Sequence, residues 1–162
     1  MTELNGLLQR LLAADIEFVI VGGFGAVLHG STVVTRDLDI CAILTAANVE
    51  KLREAFKDLH PTHRHNPQRH SFIDNPSPVV DLKNLYLQTD LGALDVLGSI
   101  TGVGDFARVA ANAETVELFG HRVRVIGIED LIRAKEALGR EKDLLAVKEL
   151  RAILARSRQG QT

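Results

Sequence analysis

Apolar residues recur along the chain in two periods, and the alternation between them sketches the elements. Leu4, Leu7, Leu8, Leu11 and Leu12 fall at helical spacing behind Thr2, whose hydroxyl suits a helix cap, so the chain should open with a helix laying a leucine stripe on a sheet. Phe18 to Val21 is a continuous apolar run and reads as a buried strand, followed by a Gly22-Gly23 turn and a short helix ending near Gly30. A second strand opens with Asp37-Leu38-Asp39-Ile40 and runs to about Leu44, and Thr45 caps a helix from about Ala46 to Leu59 that buries Val49, Leu52 and Phe56. From Val79 the pattern is β again: V-V-D-L-K, then N-L-Y-L-Q-T and A-L-D-V-L-G around the turn Asp90-Leu91-Gly92. A helix around Gly104 to Ala111 leads to a second hairpin, E-T-V-E-L-F and H-R-V-R-V-I, turning at Phe119-Gly120-His121. The last segment reads as two helices broken at Gly139, with stripes Ile128, Leu131, Ile132, Leu138 and then Val147, Leu150, Leu154.

One tract escapes both periods. His60 to Ser71 and then Asn75-Pro76-Ser77-Pro78 hold all four prolines and read as a mobile loop beside a short strand. Its four histidines, spaced H-x2-H-x-H-x4-H, lack cysteines and a firm scaffold, so a solvated loop explains them better than a zinc site, and such a loop is placed to touch a substrate.

With 162 residues, 46% of them apolar, the chain can bury one sizeable core, and we expect a single domain over 1–158 with a disordered tail at 159–162. A net charge of −2 speaks against a protein that coats nucleic acid, while leaving room for one bound strand end. Cys41 is the single cysteine and follows an apolar run, which suggests a packed thiol in a reducing compartment, the cytoplasm. M-T-E-L-N-G has no signal-peptide character, and the run from Phe18 to Thr35 is too glycine-broken and polar to span a bilayer, so no membrane role is expected.

The candidate chemistry sits between Phe18 and Ile40. A helix that begins on a glycine pair offers free backbone N–H groups and room for a phosphate. Asp37 and Asp39 project to one side of their strand while Leu38 and Ile40 enter the core, and two such carboxylates suit Mg²⁺. Cradle and cation together point to a nucleotide. Asp95, flanked by Leu94 and Val96, has no cheap structural reason to be in a strand and is a third candidate ligand; Asp81 and Asp90 are poorer ones, beside a proline-rich loop and in a turn. Lys135 falls inside a buried stripe and either pairs with Asp143 or reaches the site to neutralise a triphosphate; both readings stay open. His29 suits a helix end, His121 a turn, and Arg36 should point away from Asp37 to the surface.

The run Val21-Gly22-Gly23, thirteen residues, then Asp37-Leu38-Asp39-Ile40 resembles the signature of the DNA polymerase β-type nucleotidyltransferase superfamily. The tail I-E-D-L-I-R-A-K followed by G-R-E-K-D is similar to small bacterial nucleotidyltransferases grouped with AbiEii/MenT toxin-type proteins. The resemblance implies an α/β (α+β) nucleotidyltransferase fold: a mixed central sheet with helices packed on it and two C-terminal helices. It further implies two Mg²⁺ ions held by Asp37, Asp39 and Asp95, an NTP donor contacted by Gly22, Gly23 and Lys135, and transfer of a nucleoside monophosphate to a hydroxyl with release of pyrophosphate. Asp95 is then best placed to take the acceptor's proton. A small alcohol, a tRNA end or a protein hydroxyl would each serve as acceptor. Superfamily members often carry Gly-Ser where this chain has Gly22-Gly23, which removes a hydroxyl from the phosphate site.

Two other readings compete for the same residues. A dinucleotide site fails because the third small position after Gly23 and Gly25 is Leu28 and the acids begin the next strand. A catalytically silent fold acting as one half of a toxin-antitoxin pair is the rival from another class; three acids with no cation to offset them argue against it.

Overall fold

The computed structural model describes residues 2–74 and 82–160. Nine strands and six α-helices alternate along them, beginning α1 (Leu4–Ala13), β1 (Val19–Val21), α2 (Gly22–Leu28), β2 (Leu38–Cys41) and α3 (Ala46–Phe56). A 3-10 turn (Lys57–Leu59) leads to β3 (Thr62–His63), the hairpin β4 (Asn84–Thr89) and β5 (Gly92–Leu97), and the short pair β6 (Ser99–Ile100) and β7 (Gly104–Asp105). Then follow α4 (Phe106–Ala111), the hairpin β8 (Glu114–Leu118) and β9 (His121–Val125), α5 (Ile128–Leu138) and α6 (Glu141–Gln159).

Seven strands form one sheet in the order β3-β4-β5-β2-β1-β9-β8. It is mixed: β2 runs parallel to β5 and β1 to β9, the remaining neighbours being antiparallel. The central strands are the most apolar, as a strand covered on both faces requires; Val19, Ile20, Leu38, Ile40, Leu94 and Val96 are all buried. β4 instead alternates, with Leu85 and Leu87 inside and Asn84, Tyr86 and Gln88 half-exposed on the other face. Leu7, Leu8 and Leu11 of α1 and Val49, Leu52 and Phe56 of α3 close the core, and α5 packs on α6 after a break at Gly139, whose φ of +67° ends the helix in the left-handed region.

Several local expectations change. Thr2 does not cap α1: the position before the helix is Glu3, without a side-chain cap bond, and the Thr2 hydroxyl donates to the carbonyl of Arg36. Leu12 lies on the outer edge of the leucine stripe. Thr45 does cap α3, accepting from Asn48 N–H at 3.1 Å. The acidic strand stops at Cys41, whose buried thiol is pushed up to about 11 by burial and then by the Asp105 charge, and which therefore acts as a packing group. The His-rich tract is ordered over its described part: β3 pairs with β4, Thr62 bridges Ser71, and Phe72 N–H donates to Pro61 O at 2.9 Å. Asn75 to Pro78 and Asp81 lie outside the described residues. No described helix is long and apolar enough to cross a membrane.

Candidate active site

Strand register assembles the acids. β1 and β2 are antiparallel with Val21 opposite Asp39, and β2 and β5 are parallel with Asp39 opposite Asp95. Asp37 sits two residues before Asp39, so the same alternation that sends Leu38 and Ile40 into the core turns both acids outward. The chain leaves β1 into Gly22, at φ +64°, and a Cβ on that glycine would lie 2.2 Å from Asp39 Oδ2. A Cβ on Gly23 would meet the Thr35 hydroxyl at 2.4 Å. Two glycines are thus required here by close approach: one makes room for a carboxylate, the other for a threonine. No side chain caps the first turn of α2.

The segment between α2 and β2 is pinned to α6. Thr32 N–H and Oγ1 donate to Glu149 Oε2 at 3.0 and 2.9 Å, and Ser31 Oγ reaches Oε1 at 3.4 Å. That segment, the glycine turn, the three acids and the start of α6 surround a cleft of about 500 Å³. Lys135, Arg140 and Lys142 line it too, so one end is acidic and the other basic. Arg36 is exposed, but it lies before β2 and not within it, so strand alternation does not turn it away from Asp37, and both residues contribute to the cleft wall.

The acids strain against one another. Burial, then the Asp95 charge and a hydrogen bond with the Asp95 carboxylate, and then the Asp37 charge, push Asp39 up to about 7. Its Oδ1 is buried with no hydrogen-bond partner. Burial raises Asp95 as well, and there the Arg64 guanidinium works in the opposite direction. Arg64 Nη2 donates to Asp95 Oδ1 at 2.5 Å and stands 3.9 Å from Asp37 Oδ2, while Nη1 donates to Leu87 O at 3.0 Å. Nothing in the sequence pattern singles out Arg64, because it lies in a tract whose composition looks solvated; the pairing of β3 with β4 brings it across. Among the described residues no group of three or more His, Cys, Asp or Glu side chains is gathered tightly enough to enclose a cation, and Arg64 supplies the positive charge beside the acids.

Lys135 is buried in the cleft, and burial lowers its pKa against the pull of Asp143. The expected pair with Asp143 is long, 3.8 Å from Nζ to Oδ1. Asp143 is bound more closely by Arg140, at 2.6 and 3.2 Å. Despite burial, that guanidinium and then Lys135 hold the Asp143 carboxyl below its usual range. Lys135 is therefore an incompletely matched cation facing the acids across the cleft, and the Asp39 charge contributes to its field.

The histidines have other occupations. His29 ends α2 and its Nε2 contacts Ile126 O at 2.7 Å, tying the helix to the β9–α5 connection; His121 starts β9; His60 meets Asp90 at 2.7 Å. His63, His65 and His70 line a second pocket of about 340 Å³ beside Tyr86, with the His65 and Tyr86 rings 4.6 Å apart.

Residues 1–160 match the family model described as a nucleotidyl transferase of unknown function (DUF2204). No curated protein matches the sequence. Among solved structures, the lincomycin-bound lincosamide antibiotic adenylyltransferase LnuA is similar at a TM-score of 0.63 and 20% identity, over 93% of this chain and 96% of that one. ANT(2″)-Ia in complex with adenylyl-2″-tobramycin is similar at a TM-score of 0.56 and 12% identity, over 98% and 97%. An antigenic nucleotidyltransferase-like protein from Paracoccidioides brasiliensis follows at 0.58 and 15%, over 94% and 74%. At these identities the likeness shows the fold, which is that of nucleotidyltransferases.

Proposed function

The chain belongs to this nucleotidyl transferase family, and from that premise we propose that it moves a nucleoside monophosphate from an NTP to a hydroxyl acceptor, releasing pyrophosphate, with residues 1–158 acting as one domain. The observation that carries the reading is the opposition of Asp39 and Asp95 across β2 and β5, with Asp39 Oδ1 unpartnered and Gly22 clearing the space beside it.

The donor set suits divalent cations in its chemistry, hard carboxylate oxygens of which one is buried and unsatisfied beside Gly22, although as arranged around Arg64 the three acids do not enclose one. Asp37, Asp39 and Asp95 would hold two Mg²⁺ ions, which when bound offset the charge on the entering and leaving oxygens. Gly22 and Gly23 present N–H groups to the outer phosphates from the uncapped first turn of α2, and Lys135, with Arg140 and Lys142 behind it, neutralises them from the opposite wall. The acceptor oxygen forms its bond to the α-phosphorus as the bond to the bridging oxygen of the β-phosphate breaks. Asp95, raised by burial, takes the acceptor's proton, and the electron pair leaves with pyrophosphate. LnuA is a lincosamide antibiotic adenylyltransferase and ANT(2″)-Ia is seen in complex with adenylyl-2″-tobramycin, which supports ATP as donor and a small molecule as acceptor. A tRNA end or a protein hydroxyl, the acceptors suggested by the toxin-type resemblance, belong in the same assay.

Donor binding is tested by thermal unfolding with ATP and Mg²⁺. A shift in the wild type that is lost in Asp39→Ala is expected; equal shifts in both, or none in either, contradict the proposal.

A further inference from the structure

Arg64 has no part in the transfer step above, yet among the described residues it is the cation in direct contact with the acids. Its backbone is fixed, because its N–H donates to Tyr86 O at 2.8 Å as the pairing of β3 with β4 continues by one residue. Its side chain is only 16% exposed, held between Leu87 O, Asp95 and Asp37. Tyr86 lies opposite Asp95, and Asp95 opposite Asp39, so Arg64 ends a row that crosses four neighbouring strands and finishes on the carboxylate with the unsatisfied oxygen. Bracing β4 would need only the bond to Leu87 O; the second nitrogen is spent on Asp95.

We infer that Arg64 is the resident counter-ion of the carboxylate site, with which a divalent cation must compete for Asp95 in order to bind. This rests on the proposal that Asp37, Asp39 and Asp95 hold such cations. An Asp95 oxygen that accepts from a guanidinium nitrogen at 2.5 Å has part of its charge already neutralised, and a hard cation on the same carboxylate would lie within a few ångströms of that guanidinium and be repelled by it. With its backbone locked to β4, the arginine can yield only by turning its side chain. Arg64 thereby keeps three clustered acids together when no cation is present and sets how much cation is needed to replace it.

The test is a Mn²⁺ titration of the nucleotide-free protein, read by water-proton relaxation, on the wild type, R64Q, R64K and D39N. A charge a few ångströms from the bound cation changes affinity by about tenfold or more. R64Q is expected to bind at least about tenfold more tightly than the wild type and R64K to stay near it; equal or weaker binding by R64Q overturns the inference. The wild type gives a second readout that needs no variant: Mg²⁺ should shift the Arg64 guanidinium NMR resonances and speed their exchange with water, and unchanged resonances at saturating Mg²⁺ overturn it. Should Mn²⁺ bind wild type and R64Q equally and in an Asp39-dependent way, this inference falls alone. Should it bind neither, the cation-dependent function falls with it.

Discussion

Asp39 and Asp95 face each other directly across two parallel strands, and Gly22 approaches Asp39 from the opposite side so closely that a Cβ there would come within 2.2 Å of Oδ2. The carboxylate is thus enclosed between a like charge and a backbone, in a place where no fold would put an acid for stability alone.

A pH dependence follows. Asp39 is raised from an ordinary 3.8 to about 7, so between those values the unfolded chain has lost the proton that the folded one keeps. The unfolded state binds fewer protons there, and stability falls as pH rises through that window, by on the order of 4 kcal/mol before levelling off above it. Asp39→Asn removes the group. In urea unfolding without divalent cations, the variant should match the wild type near pH 4 and exceed it at pH 8; parallel pH profiles would show that Asp39 is not under this strain.

Gly22→Ala should be costly for two separable reasons. The left-handed backbone alone costs a side chain about 1–2 kcal/mol, and the new Cβ then displaces the Asp39 carboxylate. Gly120→Ala is the control, since Gly120 has φ +79° with nothing within 4 Å of the added carbon. The expectation is a loss of about 1 kcal/mol for the control and at least twice that for Gly22→Ala, with the ATP-Mg²⁺ thermal shift lost only in the latter. Similar behaviour of the two would remove the packing argument for the glycine turn.

Lys135→Met separates the two readings of that residue. As a phosphate ligand it should weaken ATP binding by about tenfold or more, while replacing a poorly matched buried cation leaves the unfolding midpoint unchanged or higher. A destabilised protein with unaltered ATP affinity, measured by calorimetry, would instead assign Lys135 to Asp143.

Asp130 is the counter-example of a buried acid with full compensation. It is 1% exposed and receives Arg108 at 3.1 Å through both guanidinium nitrogens, Arg133 at 2.8 Å and Asn112 at 3.4 Å. Asp130→Ala should cost about 2–3 kcal/mol, the arginines being half-exposed and able to turn to water, with ATP affinity of the folded fraction unchanged. A loss of affinity without a loss of stability would place Asp130 in the site.

How far the sequence could be read follows from where each signal lies. Asp37 and Asp39 were legible because strand alternation separates them from Leu38 and Ile40, and Asp95 because a charge between Leu94 and Val96 is conspicuous; the register that sets Asp95 opposite Asp39 is a long-range pairing with no local mark. Arg64 was hidden for the same reason, since a two-residue strand inside a histidine- and proline-rich tract carries no period to detect. Lys135 could be recognised by its place in a buried stripe. The closer partner of Asp143 could not, because Arg140 stands just before α6 and reaches Asp143 only once the chain has turned at Gly139.

Nucleotidyl transfer itself is tested most directly by product analysis by mass spectrometry together with pyrophosphate release, using wild type and the Asp37→Ala/Asp39→Ala variant with Mg²⁺, each NTP and a panel of small hydroxyl compounds, tRNA and the protein itself. The wild type is expected to release pyrophosphate in an acceptor-dependent way, with one nucleoside monophosphate added per acceptor, and the double variant to be slower by about a thousandfold or more. Equal rates in the two proteins, or no nucleotide on any acceptor in the panel, would contradict the proposed transfer.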